Sequence, residues 1–500
     1  MPYQLFWGDI HNHCGISYGH GSLERALTLA RQQLDFASVT GHAFWPDIPT
    51  DRETFGAIID YHQEGFAKLH RDWDTVQDTF ASFDDGTSFI PFLSYEWHSR
   101  AYGDHHVLYK GTHGPLLGGD TLEELRQSLI DTGQPFILEP HHIGYPLGGR
   151  GINWDAYDPK HSPIVETYSM HGCSESDEAP YPMLNTMGPR DHNSTIQAGL
   201  ERGHRFGIVA STDQHSGYPG SYGDGRLAVY ATDLSRDAIW DALWNRRTYA
   251  ATGDKMAVGF HINEAMLGGE THGSRRQISL SAEGSDFWDT IEIIKNSKVW
   301  RRWAPLPSYT LPDMHRRLRA KIHIEWGWSA VDQDAAWEMA VRVNDGEILD
   351  CETCFRGDPV LRHEQVEGVA ETIPHAVVEQ SAQHIAWRSV TRGNVTTRHP
   401  TTQGLILHLE MPVGATLTLT ANGYTAEYTL ADLLTGTRGH LTDGFRSPAV
   451  RIHRAVPAQD YTFAATVVDT APERETDYYY ARLATRNGQL AWTTPVWVTS

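Results

Sequence analysis

The stretch LFWGDIHNHCGISYGHG, from Leu5 to Gly21, carries His11, His13 and His20. In an extended strand residues i and i+2 share a face, so His11 and His13 can grip one cation together. The same spacing recurs at Asp213 and His215 in STDQH. Other ligand-type residues stand at the ends of apolar runs. His42 closes FASVTGH, Glu96 lies near the end of FIPFLSYEWH, His105 and His106 open HHVLYKG, and His141 and His142 close PFILEPHH. Neutral imidazole suits zinc, iron and manganese, while carboxylates can bridge two ions. About nine such groups exceed what one tetrahedral ion takes. The pattern therefore implies two or three divalent ions (Zn, Mn or Fe) with Glu96 as the bridge. Closely spaced cations lower the pKa of a shared water and stabilise charge on the attacked group. The chemistry expected is attack by a metal-activated water, with Glu96 and Asp213 central to it.

These residues need elements that aim them at one point. The first half of the chain alternates short apolar runs with helical patterns. After Ser22, a capping residue, Leu23, Ala26, Leu27, Ala30 and Leu34 recur at helical spacing. Thr121 and Glu124 form a capping box before Leu125 and Leu129, and Gly133 can end that helix. SRDAIWDALWNRR, after Leu234, reads as another helix. Seven runs alternating with helices predict an α/β fold, a closed or nearly closed TIM-like barrel over residues 1–254. In such barrels the site forms where the loops after the strands converge. Residues 255–500 are rich in alternating polarity and predict a β-rich, sandwich-like second domain. ATRNGQLAW holds an Asn-Gly hairpin signal. Residues 300–320 read as a basic, proline-bearing loop insertion.

Composition excludes several classes of function. The chain has 500 residues and a net charge of −22, with 63 acidic against 41 basic residues, so a nucleic-acid backbone would be repelled. No apolar run approaches the ~20 residues of a membrane span. MPYQLFWGD has no basic stretch followed by a long apolar one, so no secretory signal is expected. Four cysteines (Cys14, Cys173, Cys351, Cys354) are too few for a disulfide framework, and a reduced cytoplasmic setting is expected. The lone C-x-x-C at Cys351 and Cys354 reads as a loop. Of the 28 histidines, 17 lie in residues 1–255, so the excess falls in the half that carries the motifs.

In this order the motifs resemble those of the PHP family, named for its polymerase and histidinol phosphatase members. GDIHNH matches at His11 and His13, VTGH at His42, SYEW at Glu96, GDHHVLY at His105 or His106, EPHH at His141 or His142, and STDQH at Asp213 and His215. The resemblance implies His20 as a further ligand and covers roughly residues 1–255. Gly41 stands where the family usually has Asp. Segments like ALWNRRTYAATG and the C-terminal YYYARLATRNGQLAWTTPVWV extend the likeness to a PHP-like branch. The resemblance implies a distorted (β/α)7 barrel and phosphoester hydrolysis, with cleavage of carboxylic or carbamic esters in some relatives. The amidohydrolase superfamily also begins with H-x-H, but it typically ends in a lone Asp and often uses a strand-end Lys.

Further candidates surround this set. His171 is a candidate to protonate the leaving group, and Glu166 to orient a ligand or bind substrate. Arg246, Arg247 and Tyr249 follow the last helix of the first half, and one arginine there could hold a phosphate or carboxylate in bidentate fashion. Trp45, Trp97 and Tyr145 follow ligand positions and could line a substrate wall. Cys14 reads as a packed small residue. The expected partner is a small-molecule ester or phosphoester, with no nucleic acid and no membrane. A reading from another class is a glycan- or partner-binding module with a structural metal. A structural site needs only about four ligands, and the excess here argues against it.

Overall fold

The computed structural model describes residues 3–307, 312–331, 333–358, 372–395 and 399–500. The N-terminal half is mixed α/β. β1 (Gln4–Asp9) leads to α1 (Leu23–Arg31), whose cap Ser22 accepts from Arg25 N at 3.2 Å and whose Leu23, Ala26, Leu27 and Ala30 are buried. β2 (Phe36–Phe44) precedes α2 (Arg52–Phe83), a 32-residue helix capped by Asp51. The buried face of α2 includes Ile59, His62, Leu69, Trp73, Val76 and Phe80, at helical spacing. Then follow β3 (Ile90–Trp97), β4 (His105–Tyr109), α3 (Leu122–Asp131) and β5 (Phe136–Pro140). The Thr121–Glu124 capping box starts α3, and Gly133, at φ +68°, follows its end. β6 (Ile164–Ser169), β7 (Gly172–Cys173), α4 (Ile196–Glu201), β8 (Gly207–Ala210), β9 (Arg226–Ala231), α5 (Arg236–Trp244) and β10 (Thr248–Ala251) complete this half.

The strand order explains why ligand residues cluster. β1–β2 and β2–β3 pair in parallel, whereas β3–β4, β4–β5 and β1–β9 are antiparallel. The reversal at β4 is why its ligand-type residues open the strand instead of closing it. Register aligns His42 with Glu96, Glu96 with His106, and His106 with Glu139, one row across four strands. β6 and β8 form a parallel pair in a small separate sheet. An isolated bridge between Asn12 and Gln214 joins the chain beyond β8 to the chain beyond β1.

The second half is almost entirely β. Strands Arg317–Gly327, Glu347–Cys354 and Gln403–Pro412 lie in one sheet, and Ala335–Val343, His384–Thr391 and Thr416–Ala421 in another. Ile322, Ile324, Trp326, Trp337, Met339, Val341, Trp387, Leu407 and Leu419 form the core between them. The Asn487–Gly488 hairpin forms, with Gly488 at φ +86°. Its second strand, Leu490–Thr493, pairs with β10, so the large N-terminal sheet continues across residue 254.

Two loop expectations are corrected. Lys298–Trp303 is a strand paired with Trp288–Lys295, and Arg317 opens another; residues 308–311 of that stretch lie outside the described residues. Cys351 and Cys354 sit on a strand held by the Gln403–Pro412 ladder, which satisfies backbone groups that a loop would leave to solvent. Among the described residues no helix is long and apolar enough to cross a membrane.

Candidate metal centre

Two backbone clamps build the centre. His11 and His13 follow β1, and Asp213 and His215 follow β8. Asp213 N donates to His11 O at 2.8 Å, and His13 N donates to Gln214 O at 3.0 Å, so the two i, i+2 pairs face each other. Asp9, fully buried, strengthens the joint by accepting from Thr212 Oγ1 at 2.6 Å and Gly220 N at 2.8 Å; burial pushes its carboxyl up to about 6. Asp213 and His142 both have positive φ, +53° and +32°. Strained backbone of this kind persists where surrounding structure fixes it, and it concentrates at functional sites.

The side chains converge on Glu96 and Asp213. His11 Nε2 and His13 Nε2 each lie 3.1 Å from Asp213 Oδ1. Glu96 Oε1 is 3.0 Å from His141 Nε2, and Glu96 Oε2 is 2.9 Å from His42 Nδ1 and 3.5 Å from His13 Nε2. Donor atoms of His11, Glu96, His106 and His141 form one tight group, those of His13, His42 and His215 a second, and those of His11, His13 and Asp213 a third.

The far sides of the rings are fixed by partners. His13 Nδ1 donates to Thr40 O at 2.5 Å, His215 Nδ1 to Asp213 O at 3.0 Å, and His11 Nδ1 to Glu166 Oε2 at 2.7 Å. His106 Nδ1 faces Glu139 Oε2 at 3.5 Å. A proton held at Nδ1 leaves a lone pair at Nε2, as metal-ligating histidines require.

A divalent ion fits this set. Nε2 of His11, His13, His42 and His106, Nδ1 of His141 and His142, and Oε2 of Glu96 are buried and make no hydrogen bond among the described residues. Unanswered buried polar atoms are costly and rare. Ligand atoms about 2.0–2.2 Å from a tetrahedral ion stand roughly 3.3 Å from one another, which matches the nitrogen–oxygen spacings around Glu96 and Asp213.

Electrostatics favour the ligand forms. Burial opposes charge on Glu96, but His98, His42 and His141 hold its carboxyl well below the usual range. Burial likewise opposes charge on Asp213, and His11 and His171 outweigh it. Burial and neighbouring imidazoles push His42, His106 and His141 well down. On His11 burial is overcome by Asp213 and Glu166, which raise it. Ionised carboxylates and mostly neutral imidazoles are what a cation binds.

His11, His13, His42, Glu96, His106, His141, His142, Asp213 and His215 come together. Glu166 touches the set through His11 and also accepts from His142 N at 3.0 Å. His171 Nε2 lies 3.0 Å from Asp213 Oδ2, and its Nδ1 accepts from the Tyr145 hydroxyl at 2.6 Å. Of the candidate aromatics, Trp45 packs 5.7 Å from the His98 ring, whereas Trp97 is core and donates to Gly119 O at 3.0 Å.

Five expected residues are not brought in. His105 alternates to the opposite face of β4 from His106, with Nδ1 on Gly103 O at 2.9 Å. His20 is held in its loop by a backbone bond to His215 O at 2.8 Å, and Gly15 N closes that loop on Gly21 O at 2.7 Å. Its imidazole stands outside every convergent donor group found among the described residues. Arg247 donates to Tyr230 O at 3.1 Å and pairs with Asp241. Tyr230 is opposite Leu5, so Arg247 sits at the end of β1 away from His11. Tyr249, two strands from β1, donates to Met256 O at 2.6 Å inside the core. Arg246 points to Gly268 O and the Trp497 ring.

The sequence reading missed His98, Asp104 and Arg150. His98 Nδ1 is 3.0 Å from Glu96 Oε1 and 3.1 Å from Asp104 Oδ2, and His142 Nε2 is 3.3 Å from Asp104 Oδ2. The E-x-H spacing of Glu96 and His98 was an available signal. Gly41 also has a physical reason: a Cβ there would stand 2.7 Å from a terminal methyl of Leu69 on α2, so an Asp would require that side chain to move.

A protein-family model described as a protein of unknown function (DUF3604) matches residues 220–275. A Chlamydia trachomatis protein described as uncharacterized is 31% identical over 173 residues, covering 31% of this chain and 28% of its own length. An uncharacterized Chlamydia pneumoniae protein is 25% identical over 262 residues, covering 47% and 41%. The chain thus spans well under half the length of the curated relatives it matches. The crystal structure of a two-domain protein containing a predicted PHP-like metal-dependent phosphoesterase, from Bacteroides vulgatus, shares 16% identity at a TM-score of 0.33. It covers 59% of this chain and 79% of that one. At that level neither its fold nor its activity transfers to this chain.

Proposed function

We propose that the protein is a metal-dependent hydrolase of a small-molecule phosphoester. The supporting observation is the set of buried imidazole nitrogens clustered around Glu96 and Asp213 that make no hydrogen bond among the described residues, His11 Nε2 and His13 Nε2 foremost. On this reading His11, His13, His42, Glu96, His106, His141, Asp213 and His215 hold two or three divalent ions, and the strands behind them form a distorted barrel. Bound ions would supply an activated water and counter-charge for the attacked group. Glu96 presents both carboxylate oxygens, so it is suited to span two ions. Glu166 fixes the orientation of His11. His171 carries a proton at Nε2 against Asp213 while Tyr145 secures its Nδ1, and this places it to protonate a leaving oxygen. The motif order, similar to that of the PHP family, supports a phosphoester over a carboxylic or carbamic ester.

Nitrophenyl phosphate turnover before and after metal depletion tests this. Chelation is expected to reduce turnover by at least ~100-fold, and Mn or Zn to restore it. Undiminished turnover by metal-free protein would overturn the proposal.

A further inference from the structure

We propose that Arg150 is the residue that binds the anionic, non-bridging oxygens of the substrate's phosphoryl group. The inference deepens the hydrolase reading and rests on it for the identity of the site.

Arg150 enters the cluster from the loop spanning residues 144–151. Its φ is +76°, a left-handed conformation that a long side chain adopts only when its surroundings impose it. Glycines flank it: Gly148 is at φ +86°, and a Cβ on Gly151 would stand 1.7 Å from Tyr145 O. The loop therefore turns Arg150 inward, where its side chain is only 14% exposed. The same loop supplies Tyr145 to His171.

The guanidinium contacts Asp104 Oδ2 and His98 Nδ1, lies 3.9 Å from Glu96 Oε1, and packs with Cζ 4.9 Å from the Trp45 ring centroid. A guanidinium offers five donors in a fork matched to two oxygens of a phosphate. Here the protein contacts gather on Nη2, and Nε is buried with no hydrogen bond among the described residues. Arg276, paired with Asp477 in the second half of the chain, also leaves its Nε unanswered, so it is the placement of Arg150 among Glu96, Asp104 and His98 that sets it apart. Charge agrees. With two divalent ions in place, Arg150 against Glu96, Asp104, Glu166 and Asp213 leaves a surplus of about one positive charge, which favours an anionic substrate. A neutral ester uses none of it.

Calorimetry of inorganic phosphate binding to the metal-loaded protein tests this, with metal content measured on the same samples. Arg150→Gln should retain metal and weaken phosphate affinity about 10–100-fold, and Arg150→Lys should recover part of the loss. For nitrophenyl phosphate, kcat/KM should fall about 100-fold in Arg150→Gln, a larger fall than for nitrophenyl acetate. Unchanged phosphate affinity in metal-loaded Arg150→Gln overturns the proposal. If Arg150→Gln loses metal, Arg150→Lys is read in its place: weakened phosphate binding supports the proposal, and wild-type binding overturns it. Loss of metal in both variants overturns it in favour of a bolt on Asp104. If wild-type protein turns over neither nitrophenyl ester, the hydrolase reading fails while the phosphate-binding result still decides the role of Arg150.

Discussion

His11 and Asp213 are joined twice: Asp213 N donates to His11 O at 2.8 Å, and His11 Nε2 lies 3.1 Å from Asp213 Oδ1. The backbone bond sets the distance between two chain segments about two hundred residues apart in sequence, and the side chains exploit it. Loss of the carboxylate should therefore spare the joint and remove the ligand. Asp213→Asn is expected to fold with unchanged far-UV circular dichroism, to bind divalent metal at least ~100-fold more weakly and to lose nearly all hydrolysis. Full metal affinity in that variant would exclude Asp213 as a ligand.

Among the described residues Glu166 reaches the converging donors through His11 and the His142 amide. Glu166→Gln keeps the shape and removes the charge that orients and polarises the ring. Metal affinity should drop about 10–100-fold, with little change in thermal stability. An equal loss of stability and metal would assign Glu166 a purely structural part.

The positions that sequence spacing nominated for anion binding give a control. Arg247 and Tyr249 point away from the centre, toward Tyr230 and Met256. Arg247→Ala should leave metal content and phosphate affinity within about twofold of wild type, because its exposed-partner ion pair with Asp241 is worth ~0–1 kcal/mol. A selective loss of phosphate binding would return Arg247 to the site.

Much of the centre was legible because strand geometry is simple. The i, i+2 rule places His11 with His13 and Asp213 with His215 whatever the surrounding fold. What the sequence could not convey was pairing direction. The antiparallel turn at β4 decides that His106 faces Glu96 and that His105 faces away. Nor could spacing reveal Arg150, which reaches the cluster by a left-handed loop with no periodic signature. His20 was placed by resemblance to a motif, and its imidazole falls in none of the convergent donor groups among the described residues.

Acid should weaken the second half of the chain. Burial pushes His323 down to about 3, with His453 adding to the effect, and burial also pushes His375 down to about 3. Between pH 6.5 and 3 the unfolded chain binds protons at these sites that the folded one refuses, so stability falls as pH falls through that window. Glu325, held at about 2 despite its burial by His453 and His323, adds to the loss as pH drops through its unfolded value of 4.5. Urea midpoints should decline steadily from pH 7 to pH 4; a flat profile would contradict buried neutral imidazoles at His323 and His375.

The central claim is that the donors around Glu96 and Asp213 hold catalytic ions. Elemental analysis of the purified protein, repeated on a His13→Ala, Asp213→Asn double variant, tests it most directly. The account predicts two or three divalent ions per wild-type chain and fewer than one in the variant. Fewer than one ion per wild-type chain after incubation with Zn, Mn or Fe, or equal loading of the variant, would contradict it.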